Sequence, residues 1–232
     1  MQLAFTTCTM VAGMAIAATP PVPAFVAHYE LLRNGSPIGK ATLTLAPQSD
    51  GTWTFVTTSK GTSGLAGLLG VNSREVSVFQ WAGVLPQCDS YDYNLDTGLK
   101  QKHRTVRCDW NQHLITVHDK IDYTFTAQPG ALERHTVPLA LAAGLAAGQR
   151  TFDLLVAVRD RIETQHYVAA DASSVRVPAG TFDAIRVSRN GGGDAFEAWF
   201  APGKLPVPVK IDQRGKNDLA LELESWSATP TP

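Results

Sequence analysis

From Phe25 to Trp226 the chain alternates apolar and polar residues with a period of two, and turn-forming residues cut the alternation into short runs. A period of two puts every second side chain on one face of an extended strand, so this pattern builds antiparallel sheet with one wet face. Trp53 and Phe55 share a face in a run over 52–59. Ile121, Tyr123 and Phe125 alternate with Asp122, Thr124 and Thr126, and Leu219, Leu221 and Leu223 alternate with Glu222 and Glu224. Val76 and Val78 alternate with Ser77 and Phe79 in the same way. Further strands are predicted over 25–33, 38–45, 151–158, 162–169, 182–188, 195–200 and 207–211. Asn34-Gly35 joins the first two, because both residues tolerate positive φ. So many strands in one antiparallel sheet must curl into a barrel or split into two layers. The predicted fold is therefore mainly β: a strongly curved antiparallel sheet, barrel-like or sandwich, in a single domain.

Two segments leave the β pattern. Residues 137–148 are rich in Ala and Leu, with Thr136 at the N-cap place and Pro138 in the first turn, and predict one short helix over about 137–147. Residues 61–73 carry Gly at 61, 64, 67 and 70 with Leu65, Leu68, Leu69 and Val71. That segment is too glycine-rich for a robust helix and too apolar for a plain solvent loop.

The N-terminus has the character of an export signal. No Lys, Arg, Asp or Glu precedes Glu30, and an apolar run ends in Ala15-Ile16-Ala17, the small-x-small pattern of signal peptidase sites. Cleavage is expected near Ala17 or Ala18, although no basic residue opens the run. The expected organisation is a signal peptide over 1–18, one β domain over 19–227 and a disordered tail over 228–232. Export implies the periplasm, and the cysteines agree with it. Cys8 leaves with the signal, and Cys88 and Cys108 remain, either side of Asn94-Leu95-Asp96-Thr97-Gly98. A hairpin centred on Gly98 sets these two cysteines opposite each other, where an oxidising compartment would bond them and a reducing one would leave two thiols.

Composition and motifs mostly exclude. With 18% charged residues and a formal net charge of −1, the chain has no electrostatic footprint for nucleic acid or anionic lipid. No nucleic-acid partner is expected, and association with a membrane is peripheral at most. Gly61-Thr62-Ser63-Gly64-Leu65 lacks the last glycine of a nucleophile elbow, and Gly35 to Lys40 falls one residue short of a phosphate loop and lies in a hairpin. His113 and His118 point to opposite faces if both lie on one strand, which separates them as metal ligands. Glu163, Asp160 and Asp171 are the kind of acidic neighbours that any β protein offers. No catalytic residue, metal or cofactor is implied.

Three C-terminal motifs carry a resemblance: Ala179-Gly180-Thr181-Phe182, Trp199-Phe200-Ala201-Pro202 and Leu205-Pro206-Val207-Pro208-Val209. With Ala27-His28-Tyr29-Glu30, Gly39-Lys40-Ala41, Glu75-Val76-Ser77-Val78-Phe79 and Cys108-Asp109-Trp110, they make the chain resemble the bacterial exported family catalogued as domain of unknown function 3108 (DUF3108) from about Phe25 to Trp226. Cys108 stands where members usually carry Phe. The resemblance implies an exported, largely β protein of the Gram-negative envelope. It implies no established activity and no catalytic residues.

The expected function is non-enzymatic binding of an amphiphilic or lipid-like ligand or envelope component. Leu65, Leu68, Leu69 and Val71 are the candidate ligand-binding residues, since a curved sheet can hold an apolar ligand in its mouth. The alternatives are an envelope module that pairs with another protein, and a hydrolase acting on envelope polysaccharide or lipid.

Overall fold

In the computed structural model, residues 19–64, 67, 70–191, 195–215 and 218–229 are described. They form fifteen strands and one helix. The first eight strands are β1 (Phe25–Arg33), β2 (Ser36–Pro47), β3 (Trp53–Gly61), β4 (Asn72–Ala82), β5 (Leu85–Asp96), β6 (Gln101–Asp109), β7 (Leu114–His118) and β8 (Tyr123–Thr126). A two-residue β9 (Leu132–Glu133) and a 3-10 turn (Arg134–Thr136) lead into helix α1 (Val137–Ala146). The chain continues as β10 (Thr151–Ala157), β11 (Ile162–Val177), β12 (Gly180–Asn190), β13 (Ala195–Phe200), β14 (Pro208–Arg214) and β15 (Leu219–Ala228).

All fifteen strands belong to one sheet, ordered β8-β7-β6-β5-β4-β3-β2-β1-β15-β14-β13-β12-β11-β10-β9. The order is two meanders joined through β1 and β15. Every neighbouring pair is antiparallel except β9 with β10, which run parallel. Asn34 (φ 49°) and Gly35 (φ 76°) make the expected β1–β2 hairpin, with φ positive at both central residues. Bulges interrupt the pairing of β1 with β15, β1 with β2, β4 with β5, β11 with β12 and β13 with β14. Each adds local twist, and together they bend the sheet round on itself without closing its ladder.

The helix fills the space that the curl leaves. Val137, Leu139, Ala140, Leu141, Ala143 and Leu145 are all buried. A helix apolar on every side must be covered on every side. Leu139 and Ala143 pack with Phe25, Leu45, Phe55 and Phe79 of the first meander. Leu141 and Leu145 pack with Phe152, Leu154, Val156 and Tyr167 of the second. At about 1.5–3 kcal/mol per buried aliphatic side chain, this shared packing is what holds the two meanders round one core. Gly144 is required here: a Cβ on it would lie 2.5 Å from the ring of Phe152.

The convex face is built for water. Lys40 pairs with Glu30 and Glu224, Lys210 bonds Asp212 at 3.6 Å and Glu222 at 3.1 Å, and Glu197 takes Arg186 at 3.2 Å and Arg214 at 3.1 Å. A depression of about 180 Å³ lies on this outer side beside Lys210, Asp212 and Glu222, and one of about 530 Å³ lies at the ends of β4, β5 and β6, where Arg74, Asn94 and His103 meet Ser73, Leu95 and Lys102.

The helix keeps to the expected 137–147 within one residue, ending at Ala146, where Ala147 N donates to Ala143 O and Gly148 takes φ 83°. Other details differ from the sequence expectation. Thr136 occupies the N-cap place but makes no side-chain cap bond there; Glu133 caps the preceding turn instead. β11 runs on to Val177 through its bulge. Ala228, read from sequence as the start of a tail, closes β15, and Thr229 N donates to Ala24 O at 3.1 Å.

Cys88 and Cys108 form a disulfide with Cα atoms 6.1 Å apart. The register that brings them together is not the one expected. The β5–β6 turn spans four residues, Thr97–Lys100, and Asp96 faces Gln101 while Ser90 faces Arg107. Carried on unchanged, that register would miss Cys108 by one residue. Asp89 is the extra residue of a bulge in β5, since Ser90 pairs with Val78 but Cys88 with Phe79. The bulge skips one position and restores Cys88 to its partner. The peptide N–H of Cys88 then donates to Ala131 O at 3.2 Å, which ties the chain just before β9 to the inside of β5.

Loss of this crosslink, by reductant or by the double substitution Cys88→Ser and Cys108→Ser, is expected to cost about 3 kcal/mol through the freed unfolded chain. Urea unfolding with and without reductant measures it, and coincident midpoints would show that the bond carries no stability.

Candidate functional site

The inward face of β3 to β6 changes character along the strands. Phe55 on β3, Ser77 on β4, Tyr91 on β5 and Val106 on β6 form one cross-strand row, all buried. Two residues along, the same face carries Thr57, Glu75, Tyr93 and Arg104, and the row beyond carries Ser59, Ser73, Leu95 and Lys102. These eight are half-buried. Positions that a packed barrel would fill with aliphatic side chains here carry hydroxyls, a carboxylate and two cations. They make a polar cup of one end of the inward face, the end at which β3 gives way to β4.

The floor of the cup is the turn before α1. Glu133 is buried and accepts three hydrogen bonds: from Ser77 Oγ to Oε1 (2.6 Å), from His135 N to Oε2 (2.6 Å) and from Thr136 N to Oε1 (3.0 Å). Ser77 Oγ also lies 2.7 Å from His135 Nδ1, and His135 Nε2 lies 2.8 Å from Thr57 Oγ1. Ser77 has one proton and gives it to Glu133, so the network assigns the His135 proton to Nδ1 and leaves Nε2 to accept from Thr57. The ring stacks on Phe55, with centroids 4.5 Å apart. Arg134, between the two anchors, reaches into the cup. Its Nη2 lies 3.4 Å from Tyr91 Oη and 3.9 Å from Glu75 Oε2, and Tyr91 donates to Glu75 at 2.5 Å. Burial, reinforced by Glu75, pushes the phenols of Tyr91 and Tyr93 up from their ordinary range.

Serine, histidine and glutamate in contact invite comparison with a hydrolytic triad, but the wiring differs. In a triad the carboxylate holds the far nitrogen of the imidazole and the serine meets substrate. Here the carboxylate bonds the serine itself, the far nitrogen bonds Thr57, and Ser77 is 0% exposed. The arrangement is a latch that fixes the helix entry against β3 and β4.

Leu65, Leu68 and Leu69, the sequence candidates for ligand contact, lie outside the described residues. Val71 is half-buried, and its carbonyl accepts from Gly61 N at 2.7 Å, closing the base of the connector. His113 sits in the β6–β7 turn at φ 55°, and His118 pairs with Asp122 at 3.0 Å. Glu163, Asp160 and Asp171 are not gathered: each pairs with its own arginine, Arg189, Arg161 and Arg150. Among the described residues no three His, Cys, Asp or Glu side chains are placed to hold a metal ion. The cup itself was missed from sequence. Its signal was available in the polar residues at alternate places, Thr57 and Ser59, Ser73 and Glu75, Lys102 and Arg104, where an inward face should be apolar.

The family model described as "Protein of unknown function (DUF3108)" matches residues 25–223. No curated protein matches the sequence. Among solved structures, the crystal structure of a β-barrel-like protein of domain of unknown function DUF1849 from Brucella abortus is similar, with a TM-score of 0.51 and 12% identity over 91% of this chain and 100% of that one. At that identity the likeness concerns the fold.

Two outcomes follow from the buried polar groups. Ser77→Ala strips a hydrogen bond from a buried carboxylate and is expected to cost about 1–3 kcal/mol, read by urea unfolding; an unchanged midpoint would remove the latch. Stability is also expected to fall at alkaline pH. Tyr29 and Tyr91 are held neutral by burial, and burial pushes Tyr167 up to about 12. The unfolded chain releases these protons near pH 10, so above that the folded state binds more protons and loses stability as pH rises. Unfolding midpoints from pH 8 to 11 check it, and a flat profile would contradict it.

Proposed function

This chain belongs to the DUF3108 family, and we propose that it is an exported, non-enzymatic cell-envelope protein that binds an amphiphilic ligand at the open end of its barrel. The observation that carries this is the switch of the inward face of β3 to β6 from buried and largely apolar to half-buried and polar, beside a connector rich in leucine and glycine. A concave polar wall offers hydrogen bonds to a head group, and an apolar segment at its rim offers a surface for a chain. Leu65, Leu68, Leu69 and Val71 take that second role in the proposal. The centre of the barrel is not the ligand's place, because α1 occupies it.

A second reading, an envelope interaction module, rests on β8. It is the last strand of the order at its side of the sheet, four residues long, next to Ile121, which is 56% exposed. A strand with one unpaired rim is a template for a strand from a partner.

Native mass spectrometry of protein purified from the periplasm separates the two. A small molecule that leaves on denaturation is expected and would give the ligand class. A clean apo mass, with in-cell crosslinks from residues beside Ile121 to another protein, would favour the module instead.

A further inference from the structure

Arg104 is the inward-facing residue of the cup whose charge is least accounted for. It stands on β6 directly across from Tyr93, one inward position from the buried Val106. Its Nε is shut off from solvent and has no hydrogen-bond partner. The nearby acids are committed elsewhere: Glu133 to Ser77 and two peptide N–H groups, Glu75 to Tyr91 and Arg134, and Asp119 to Lys120 N. Glu133 and Asp119 act on Arg104 through space, but among the described residues no acid pairs with it. Burial and the like charge of Arg134 oppose its protonation.

Two more cations converge on the same aromatic ring. Lys102 Nζ lies 5.7 Å from the centroid of Tyr93, and Arg134 Cζ lies 5.9 Å from it. Lys102 faces inward beside Leu95, and the Tyr93 ring is the contact that holds its ammonium. Leaving the shut-off Nε–H donor of Arg104 unmatched costs free energy, and an acceptor that reaches it recovers that cost. A group with several oxygens and a negative charge matches a planar fork of N–H donors beside an ammonium.

We propose that Arg104 and Lys102, with Tyr93 and Arg134 beside them, seat an oxyanion, a phosphate or carboxylate, that is the head of the amphiphile taken by the cup. This rests on the amphiphile reading and adds to it the charge class of the head. It also explains why a chain of near-zero net charge needs no basic outer patch: the cations that select the ligand are on the inside.

The test uses the full-length mature protein labelled with nitrogen-15 and follows the Arg104 Nε–Hε resonance, assigned by its loss in Arg104→Lys. The probes are inorganic phosphate, n-octyl phosphate and n-octyl glucoside. The expected result is that octyl phosphate shifts the resonance and binds at least tenfold more tightly than either other probe. Arg104→Gln and Lys102→Gln are each expected to weaken octyl phosphate at least tenfold without changing octyl glucoside. Lys102 is half-exposed, so its variant folds even if the Arg104 variant does not. Inorganic phosphate binding as tightly as octyl phosphate would keep the oxyanion seat and remove the amphiphile. Equal binding of the two octyl compounds, unchanged in both variants, would remove the seat and keep the amphiphile. No shift with any probe would overturn both.

Discussion

The buried carboxylate of Glu133 is the contact on which the placement of the interior depends. A carboxyl group with so little exposure is tolerable only when its acceptor sites are filled, because an unsatisfied buried polar group costs free energy. Ser77 from β4 and two consecutive peptide N–H groups from the turn fill them. The bonds come from parts of the chain 56 residues apart, so satisfying one carboxylate sets the helix entry against the sheet. Two side chains inherit their positions from it: His135, pressed on Phe55 and bonded to Thr57, and Arg134, aimed between Tyr91 and Glu75. The latch and the cup floor are the same few residues.

The barrel is therefore divided along its axis. Its middle is solid, filled by a helix whose apolar surface both meanders share. Its open end keeps a concave wall that is neither packed nor free of the protein's own charges. In a closed barrel of this size the natural place for an apolar ligand is the centre. Here the centre belongs to Leu139, Leu141 and Leu145.

Much of the architecture could be read before the structure, and the reason is local. Strand alternation, Asn34-Gly35 and the Ala/Leu run over 137–148 are short-range signals, and β1, β13 and α1 begin where those signals put them. The cysteine pair was also anticipated, but through a turn one residue too short and without the Asp89 bulge; the two differences cancel. Bulges leave no mark in a period-two pattern beyond one unmatched residue, and so the curl itself was not readable. The latch was invisible for another reason. Ser77, Glu133 and His135 share no motif, and in the alternation of β4 the valines Val76 and Val78 stand opposite Ser77 and Phe79, whereas the structure buries Ser77 and Phe79. The cup was visible only as an exception: polar residues on the inward parity of β3, β4 and β6, which alternation alone counts as noise.

The meeting of β1 and β15 in the middle of the sheet has a kinetic side. Phe25 pairs with Ala228, so the seam that unites the two meanders joins the first strand to the last. Each meander can form from neighbours in sequence, but the seam must wait for the whole chain, and closing so long a loop is slow. Until it closes, β1 has a bare edge and the core has one open wall. A protein delivered across a membrane from its N-terminus would spend that interval exposed on the far side. The half-finished state, rather than the finished one, is then the form that most needs protection from pairing with its own copies.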